Sequence, residues 1–167
     1  MENIREFHLR LSGEYAAMLQ KFLGGKLRAV CLFGSAARGD FKKDSDIDLL
    51  VIADELPEDV GSRHSMFNQL RMEISSSDTA KKLRNLGYST SISEIYLTPD
   101  EAEKHPPIML DIVEDGIIIY DVDNFLRKVL KEIKERLLTL GARRVQTSKG
   151  WYWVLKPDAR LGEEIRI

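Results

Sequence analysis

One stretch constrains this chain more than any other: Phe33-Gly34-Ser35-Ala36-Ala37-Arg38-Gly39-Asp40-Phe41-Lys42-Lys43-Asp44-Ser45-Asp46-Ile47-Asp48-Leu49-Leu50-Val51-Ile52. It sets a glycine turn and a pair of carboxylates between two apolar runs. Residues 29–33 are apolar throughout and 47–53 are apolar but for Asp48, at strand length, which predicts buried strands. Gly34-Ser35 predicts a tight turn into a short helix. Glycine lets backbone approach a ligand closely, and a helix start presents unpaired N–H groups and the positive end of its dipole, which suits an anion. Asp46 and Asp48 stand two apart at the mouth of the second strand, where the pleat sends both side chains to one face. Two such carboxylates repel unless a cation or a proton neutralises one of them, so with an anion site nearby a divalent cation is the natural occupant. The competing reading is turn chemistry, since Gly-Ser and Asp-rich loops are common at strand ends.

The chain has 167 residues, enough for one domain with a real core, or one domain and an appendage. With 43% hydrophobic and 31% charged residues it has the composition of an ordinary globular protein. A net charge of -2 excludes strong general affinity for nucleic acid, so any polyanion contact must be local. Cys31 is the only cysteine, which rules out an intramolecular disulfide and suits a small buried hydrophobe. The start, Met1-Glu2-Asn3-Ile4-Arg5-Glu6, lacks the apolar core of a signal peptide, and no run approaches membrane-spanning length. A cytoplasmic location is the default expectation.

Residues 4–23 carry Phe7, Leu11, Tyr15, Met18, Leu19 and Phe22 at helical spacing, closed by Gly24-Gly25. After the second strand, Met66, Leu70, Ile74, Leu83 and Leu86 predict one long or two shorter helices up to Gly87, with a break at Ser75-Ser76-Ser77-Asp78. Residues 90–97 alternate as a strand, Thr98-Pro99-Asp100-Glu101 starts a helix, 107–114 is a short apolar helix and 117–120 a short strand. Residues 121–140 form an amphipathic helix ending at Gly141. Beyond it, Arg143, Arg144 and Lys149 precede Trp151-Tyr152-Trp153; strands at 152–155 and 164–167 predict a hairpin around 157–162. That basic and aromatic mixture suits either stacking on single-stranded nucleic acid or packing onto its own domain or a dimer mate, and the second is favoured. His8, His64 and His105 are scattered without ligand or triad spacing.

Glycine, serine, ten residues, then Asp-x-Asp resembles the signature of the nucleotidyltransferases of the DNA polymerase beta superfamily, and in particular their minimal branch. Glu114-Asp115-Gly116 followed by Tyr120-Asp121 resembles the way such a domain closes. The resemblance covers roughly the first two thirds of the chain, given the usual size of a domain. It implies an α/β (α+β) fold: a short mixed sheet with helices on one face, the metal site on the other, and a small C-terminal β appendage. The corresponding division is a nucleotidyltransferase domain over 1–141 and an appendage over 142–167.

The activity this resemblance implies is metal-dependent transfer of a nucleoside monophosphate, AMP from ATP foremost, to a hydroxyl acceptor. Asp46 and Asp48 would be the ligands of Mg2+, and Gly34 with the Ser35 hydroxyl would hold a β or γ phosphate of the nucleoside triphosphate. Arg38, one helical turn on, is either a triphosphate contact or an exposed arginine at a helix end. Lys42 and Lys43 read as solvated. The superfamily supplies a third catalytic carboxylate from a neighbouring strand. Here the candidate is Glu94, a glutamate where aspartate is usual, with Ser93 beside it leaving the register open; otherwise it is an exposed strand carboxylate. A partner protein is the leading acceptor, and a HEPN-type toxin the partner class the resemblance implies. The alternative is an antitoxin-like binding module that has lost turnover. Nucleic acid and membrane are not expected as partners, and homo-oligomerisation is left open.

Overall fold

The computed structural model describes residues 3–148 and 150–167. The readings of Met1, Glu2 and Lys149 lie outside the described residues. In chain order the elements are α1 (Ile4–Leu23), β1 (Leu27–Phe33), α2 (Gly34–Arg38), β2 (Ile47–Ala53), α3 (Val60–Met66), α4 (Asn68–Ser75) and α5 (Asp78–Asn85). There follow β3 (Ile92–Leu97), α6 (Pro99–Glu103), α7 (Met109–Asp115), β4 (Ile117–Asp121), α8 (Phe125–Leu140), β5 (Arg143–Thr147) and β6 (Gly150–Val154).

The main sheet has four strands in the order β3-β2-β1-β4. β1 runs antiparallel to β2 and β4, while β2 and β3 are parallel, so the sheet is mixed as expected. β1 and β2 are central, and alternate residues enter two separate cores. Val30, Leu32, Leu49 and Val51 meet α1, α4 and α5 through Leu11, Tyr15, Leu70 and Leu83. Ala29, Cys31, Leu50 and Ile52 meet α6, α7 and α8 through Ala102, Met109, Ile112, Leu126 and Ile133. Helices therefore cover both faces rather than one. Strands apolar on both faces demand cover on both, and this displaces the candidate site from a face to the end of the sheet.

Local chemistry explains the element boundaries. Between β2 and β3 there are three helices, not one or two: Ser77 Oγ accepts from the Ala80 N–H and starts α5, while Phe67, fully buried, separates α3 from α4. Thr98 and Glu101 form a capping box at α6, with Pro99 in the first turn. The helix expected from 121 begins at Phe125. Asp121 stays in β4 and its carboxylate accepts from the N–H groups of Leu126 (2.8 Å) and Arg127 (3.0 Å), capping the helix from a distance. Gly116 lets α7 close onto β1: a Cβ there would lie 2.6 Å from the Ile112 carbonyl oxygen and 3.1 Å from Cys31 Sγ.

The C-terminal hairpin has a different register from the expected one. β6 pairs antiparallel with the upstream β5, from Arg143↔Val154 to Thr147↔Gly150, and 164–167 is not a strand. Pro157 has no N–H to give a ladder, and the next segment is held as a loop by a Lys156–Glu163 ion pair and by the Arg160 N–H donating to Glu163. The tail docks on the domain. Trp153 and Leu155 pack into the α7–α8 core, Trp153 Nε1 donates to the Leu110 carbonyl at 3.2 Å, and Arg144 pairs with Asp115 at 2.7 Å. The Arg144 guanidinium lies 4.0 Å from the centre of the Trp151 ring, a cation–π contact. Trp153 thus packs onto its own domain, as favoured, while Tyr152 stays exposed.

Candidate active-site cleft

The cleft forms where β1 turns into α2 beside the start of β2. Phe33 and Asp48 are partners in the β1–β2 ladder, so the residue after Phe33 faces the Asp48 side chain. That residue is Gly34, with φ +68°, and a Cβ built on it would lie 2.2 Å from Asp48 Oδ2. Both the backbone conformation and the carboxylate demand glycine. α2 then runs only from Gly34 to Arg38, with Ala36 and Ala37 buried beneath it and Ser35 half-buried in its first turn. Arg5 Nη2 donates to the Ala37 carbonyl at 2.7 Å and fixes the far end.

Asp46 is exposed and Asp48 half-buried, and they share one side of β2. Burial raises the Asp48 pKa, and the neighbouring Asp46 carboxylate raises it further; the Arg38 guanidinium and a hydrogen bond from the Ser93 hydroxyl oppose the rise. Arg38 is half-buried, its Nε 3.2 Å from Asp40 Oδ2, and faces both Asp48 and Asp111 of α7. Burial also raises the pKa of Asp111, with Arg38 and Arg144 acting against it. Among the described residues no cluster of three or more His, Cys, Asp or Glu side chains is placed to hold a metal. The Asp46–Asp48 pair fits a hard divalent cation that draws its remaining oxygens from substrate phosphate and water, and the mutual repulsion of the pair is what such an ion would relieve.

Glu94 is not in this cleft, contrary to expectation. In the parallel β2–β3 ladder Asp48 pairs with Ser93 and Leu49 with Glu94, so Ser93 shares the face of Asp48 and Glu94 points to the other side of the sheet. There it is 4% exposed, accepts from the Tyr15 hydroxyl at 2.6 Å and pairs with Arg71 Nη1 at 3.2 Å. Arg71 also donates to the Tyr96 hydroxyl at 3.2 Å. Burial, then Tyr96 and Glu94, drive the Tyr15 pKa far above that of an ordinary phenol. This is a closed ion and hydrogen-bond network joining α1, α4 and β3. Ser93 and Asp111 are cleft residues that sequence reasoning missed. The strand alternation alone gave no signal, since the Ser93 side also carries Ile95 and Leu97 packed on the second core.

The histidines lie elsewhere. His8 is 1% exposed and packs edge-on against Phe41 at 4.5 Å, while His64 packs against Tyr96 at 5.3 Å. His105 stands 3.9 Å from Glu132.

Comparison with known proteins identifies the family. A family model described as a nucleotidyltransferase domain matches residues 17–138. A curated relative from Methanocaldococcus jannaschii, provisionally named a protein adenylyltransferase, is 33% identical over 134 residues, covering 79% of this chain and 84% of the relative. Among solved structures, a provisionally assigned nucleotidyltransferase from Sulfolobus solfataricus aligns over 70% of this chain and 83% of its own, at 22% identity and a TM-score of 0.45. A chain from the Shewanella oneidensis complex of tri-AMPylated HEPN toxin with MNT antitoxin aligns over 80% of this chain and 92% of its own, at 18% identity and a TM-score of 0.40. No helix among the described residues is long and apolar enough to cross a membrane. With the family model spanning most of the chain and a relative 33% identical over 79% of it, this protein belongs to the nucleotidyltransferase domain family.

Proposed function

We propose that the protein transfers AMP from ATP to a hydroxyl group of a partner protein, with a divalent cation, Mg2+ by its ligand chemistry, at Asp46 and Asp48. The observation that supports this reading is the close approach of Gly34 to the Asp48 carboxylate, which brings the glycine turn and the aspartate pair side by side. The name of the M. jannaschii relative supports a protein acceptor and an adenylyl donor.

In this reading the Ser35 hydroxyl and the first amides of α2 hold the outer phosphates, and Arg38 meets the charge that grows on the leaving pyrophosphate. A cation bound at Asp46 and Asp48 would neutralise phosphate charge and lower the proton affinity of the acceptor hydroxyl. Ser93 steadies the Asp48 carboxylate through its hydrogen bond. The acceptor oxygen attacks the α-phosphorus in line, the new P–O bond forms as the bond to pyrophosphate breaks, and the acceptor proton passes to solvent. Incubation with α-labelled ATP, Mg2+ and candidate acceptors tests this. Label on a protein, abolished by Asp46→Ala and by Asp48→Ala, is expected; label that survives both changes defeats the assignment.

A second reading has one observation in its favour: where the superfamily supplies a third carboxylate, this cleft presents Ser93. A cleft so depleted suits a module that neutralises its partner by complex formation alone, with a HEPN-type toxin the class to try. A stable complex that never acquires label, whatever the metal, would favour that reading over the first.

A further inference from the structure

A cavity of about 550 Å³ opens behind the edge strand, where α4 and α5 meet the segment leading into β3. Its walls are Arg71, Arg84 and the hydroxyl run Ser89-Thr90-Ser91 over an apolar floor, and no carboxylate lines it. Its two arginines differ. Arg71 is committed to Glu94, the Tyr96 hydroxyl and the His64 carbonyl. Arg84 is exposed, and its one partner among the described residues is Thr90 Oγ1 at 3.1 Å. A second cation lies alongside: Lys43 Nζ is 3.7 Å from where a Cβ on Gly87 would stand, and it pairs with no carboxylate among the described residues.

The cavity is joined to the cleft. The Ser89 N–H donates to the Lys43 carbonyl at 2.7 Å, and the Ile47 N–H donates to the Ser91 carbonyl at 2.9 Å. Its rim is therefore bonded to both ends of the short segment that carries Asp46. Ser91 lies about one strand spacing, ~4.8 Å, from the β2 entry between the two aspartates. Ile74 and Ile92 put the cavity on the Glu94 side of the sheet, so a chain resting in it would reach Asp46 around the end of β2, past Ser91.

We propose that this cavity docks an acidic segment of the acceptor protein. Arg84 and Lys43 pair with its Asp or Glu side chains, the hydroxyls of Ser89, Thr90 and Ser91 donate to the same oxygens, and the acceptor hydroxyl is thereby delivered to the Asp46–Asp48 end of β2. This rests on the reading of the chain as a protein-modifying transferase. Nucleic acid is the weaker occupant. It needs several cations along a track and open ring faces for stacking, whereas the chain carries -2 net charge. Tyr88, the aromatic of the cavity, is half-buried and set edge-on to Phe41 at 6.1 Å.

Fluorescence anisotropy of a labelled hexaglutamate peptide against the full chain at low salt, without nucleotide, is the test. Arg84→Glu and Lys43→Glu should each weaken binding by about tenfold or more, while Lys134→Glu, exposed on α8, should leave it unchanged. Thr90→Val, a gentler change, should weaken it about two- to threefold. Equal binding by wild type and Arg84→Glu, or no binding by wild type, overturns the docking inference. So does a uridine oligonucleotide that binds through Arg84 more tightly than the peptide. Because binding is read without ATP, its failure counts against docking alone, whereas absent label transfer counts against the functional reading alone.

Discussion

Ser93 and Glu94 are neighbours on β3 and live in opposite worlds. On the Ser93 side, Asp46 and Asp48 crowd together beside a serine hydroxyl, and Arg38 is divided among Asp48, Asp40 and Asp111. On the Glu94 side, one carboxylate is sealed from water and matched by a phenol and a guanidinium. Both sides hold acid groups at the sheet, yet one leaves a repulsion for a cation to relieve and the other leaves nothing unsatisfied. Residue type does not separate a reactive carboxylate from a structural one; the partners within hydrogen-bond reach do.

The sharpest way to break this contrast is to neutralise one carboxylate on each side. Asp48→Asn should lower AMP transfer by about 10³-fold or more, since a cation ligand acts on charge that develops in the transition state. Its melting temperature should stay level or rise, because the substitution removes a like-charge contact with Asp46. Glu94→Ala should do the reverse. It leaves the Tyr15 hydroxyl and Arg71 without their acceptor, at a cost of about 3–5 kcal/mol in urea unfolding, while transfer per folded molecule stays near wild type. Loss of transfer at intact stability in Glu94→Ala would mean that this carboxylate does reach the reaction.

Much of this contrast was legible in the sequence, and the part that was not has a physical cause. The glycine turn, β2 and the aspartate pair were readable because two apolar runs and a period of two leave few alternatives at Gly34, Asp46 and Asp48. Which face Glu94 takes depends on how β3 pairs with β2, and a shift of one residue exchanges Ser93 for Glu94. Pairing across forty residues is a tertiary property. The same holds for the two-sided helix cover and for β6, whose partner was misjudged because residues 152–155 read as a strand without saying which neighbour supplies the ladder. Asp111 was invisible because only the approach of α7 to α2 brings it to Arg38.

A milder change sharpens the contrast from the open side. Ser93→Asp places a third carboxylate on the face of Asp48. The Mg2+ concentration for half-maximal transfer should fall by about tenfold, as an added hard oxygen ligand tightens the site. The substitution should also slightly destabilise the metal-free protein, for the reason that Asp48→Asn does not. Unchanged metal dependence would show that the β3 position does not face the cation.

The smallest effect tests a second matched charge pair by pH. Next along the chain from β3, Glu101 at the start of α6 receives a two-pronged pair from Arg63, Nη1 to Oε2 at 2.7 Å and Nη2 to Oε1 at 2.9 Å, and its carboxylate also accepts from the Thr98 N–H at 2.8 Å. The Arg63 hydrogen bonds hold its pKa down to about 2 from the usual 4.5. Between those values the unfolded chain binds the proton and the folded chain does not, so the stabilisation is complete above pH 4.5 and is lost as the pH falls towards 2. Glu101 is partly open to water, so screening keeps the gain small, and Glu101→Gln should cost only about 1 kcal/mol near neutral pH. Other carboxylates titrate over the same range, which makes the difference between wild type and variant the quantity to measure. In urea unfolding that difference should shrink from pH 5 to pH 2.5. A difference that holds steady across the range would show that the pair stabilises α6 by shape and packing, leaving the matched charge without energetic weight at this position.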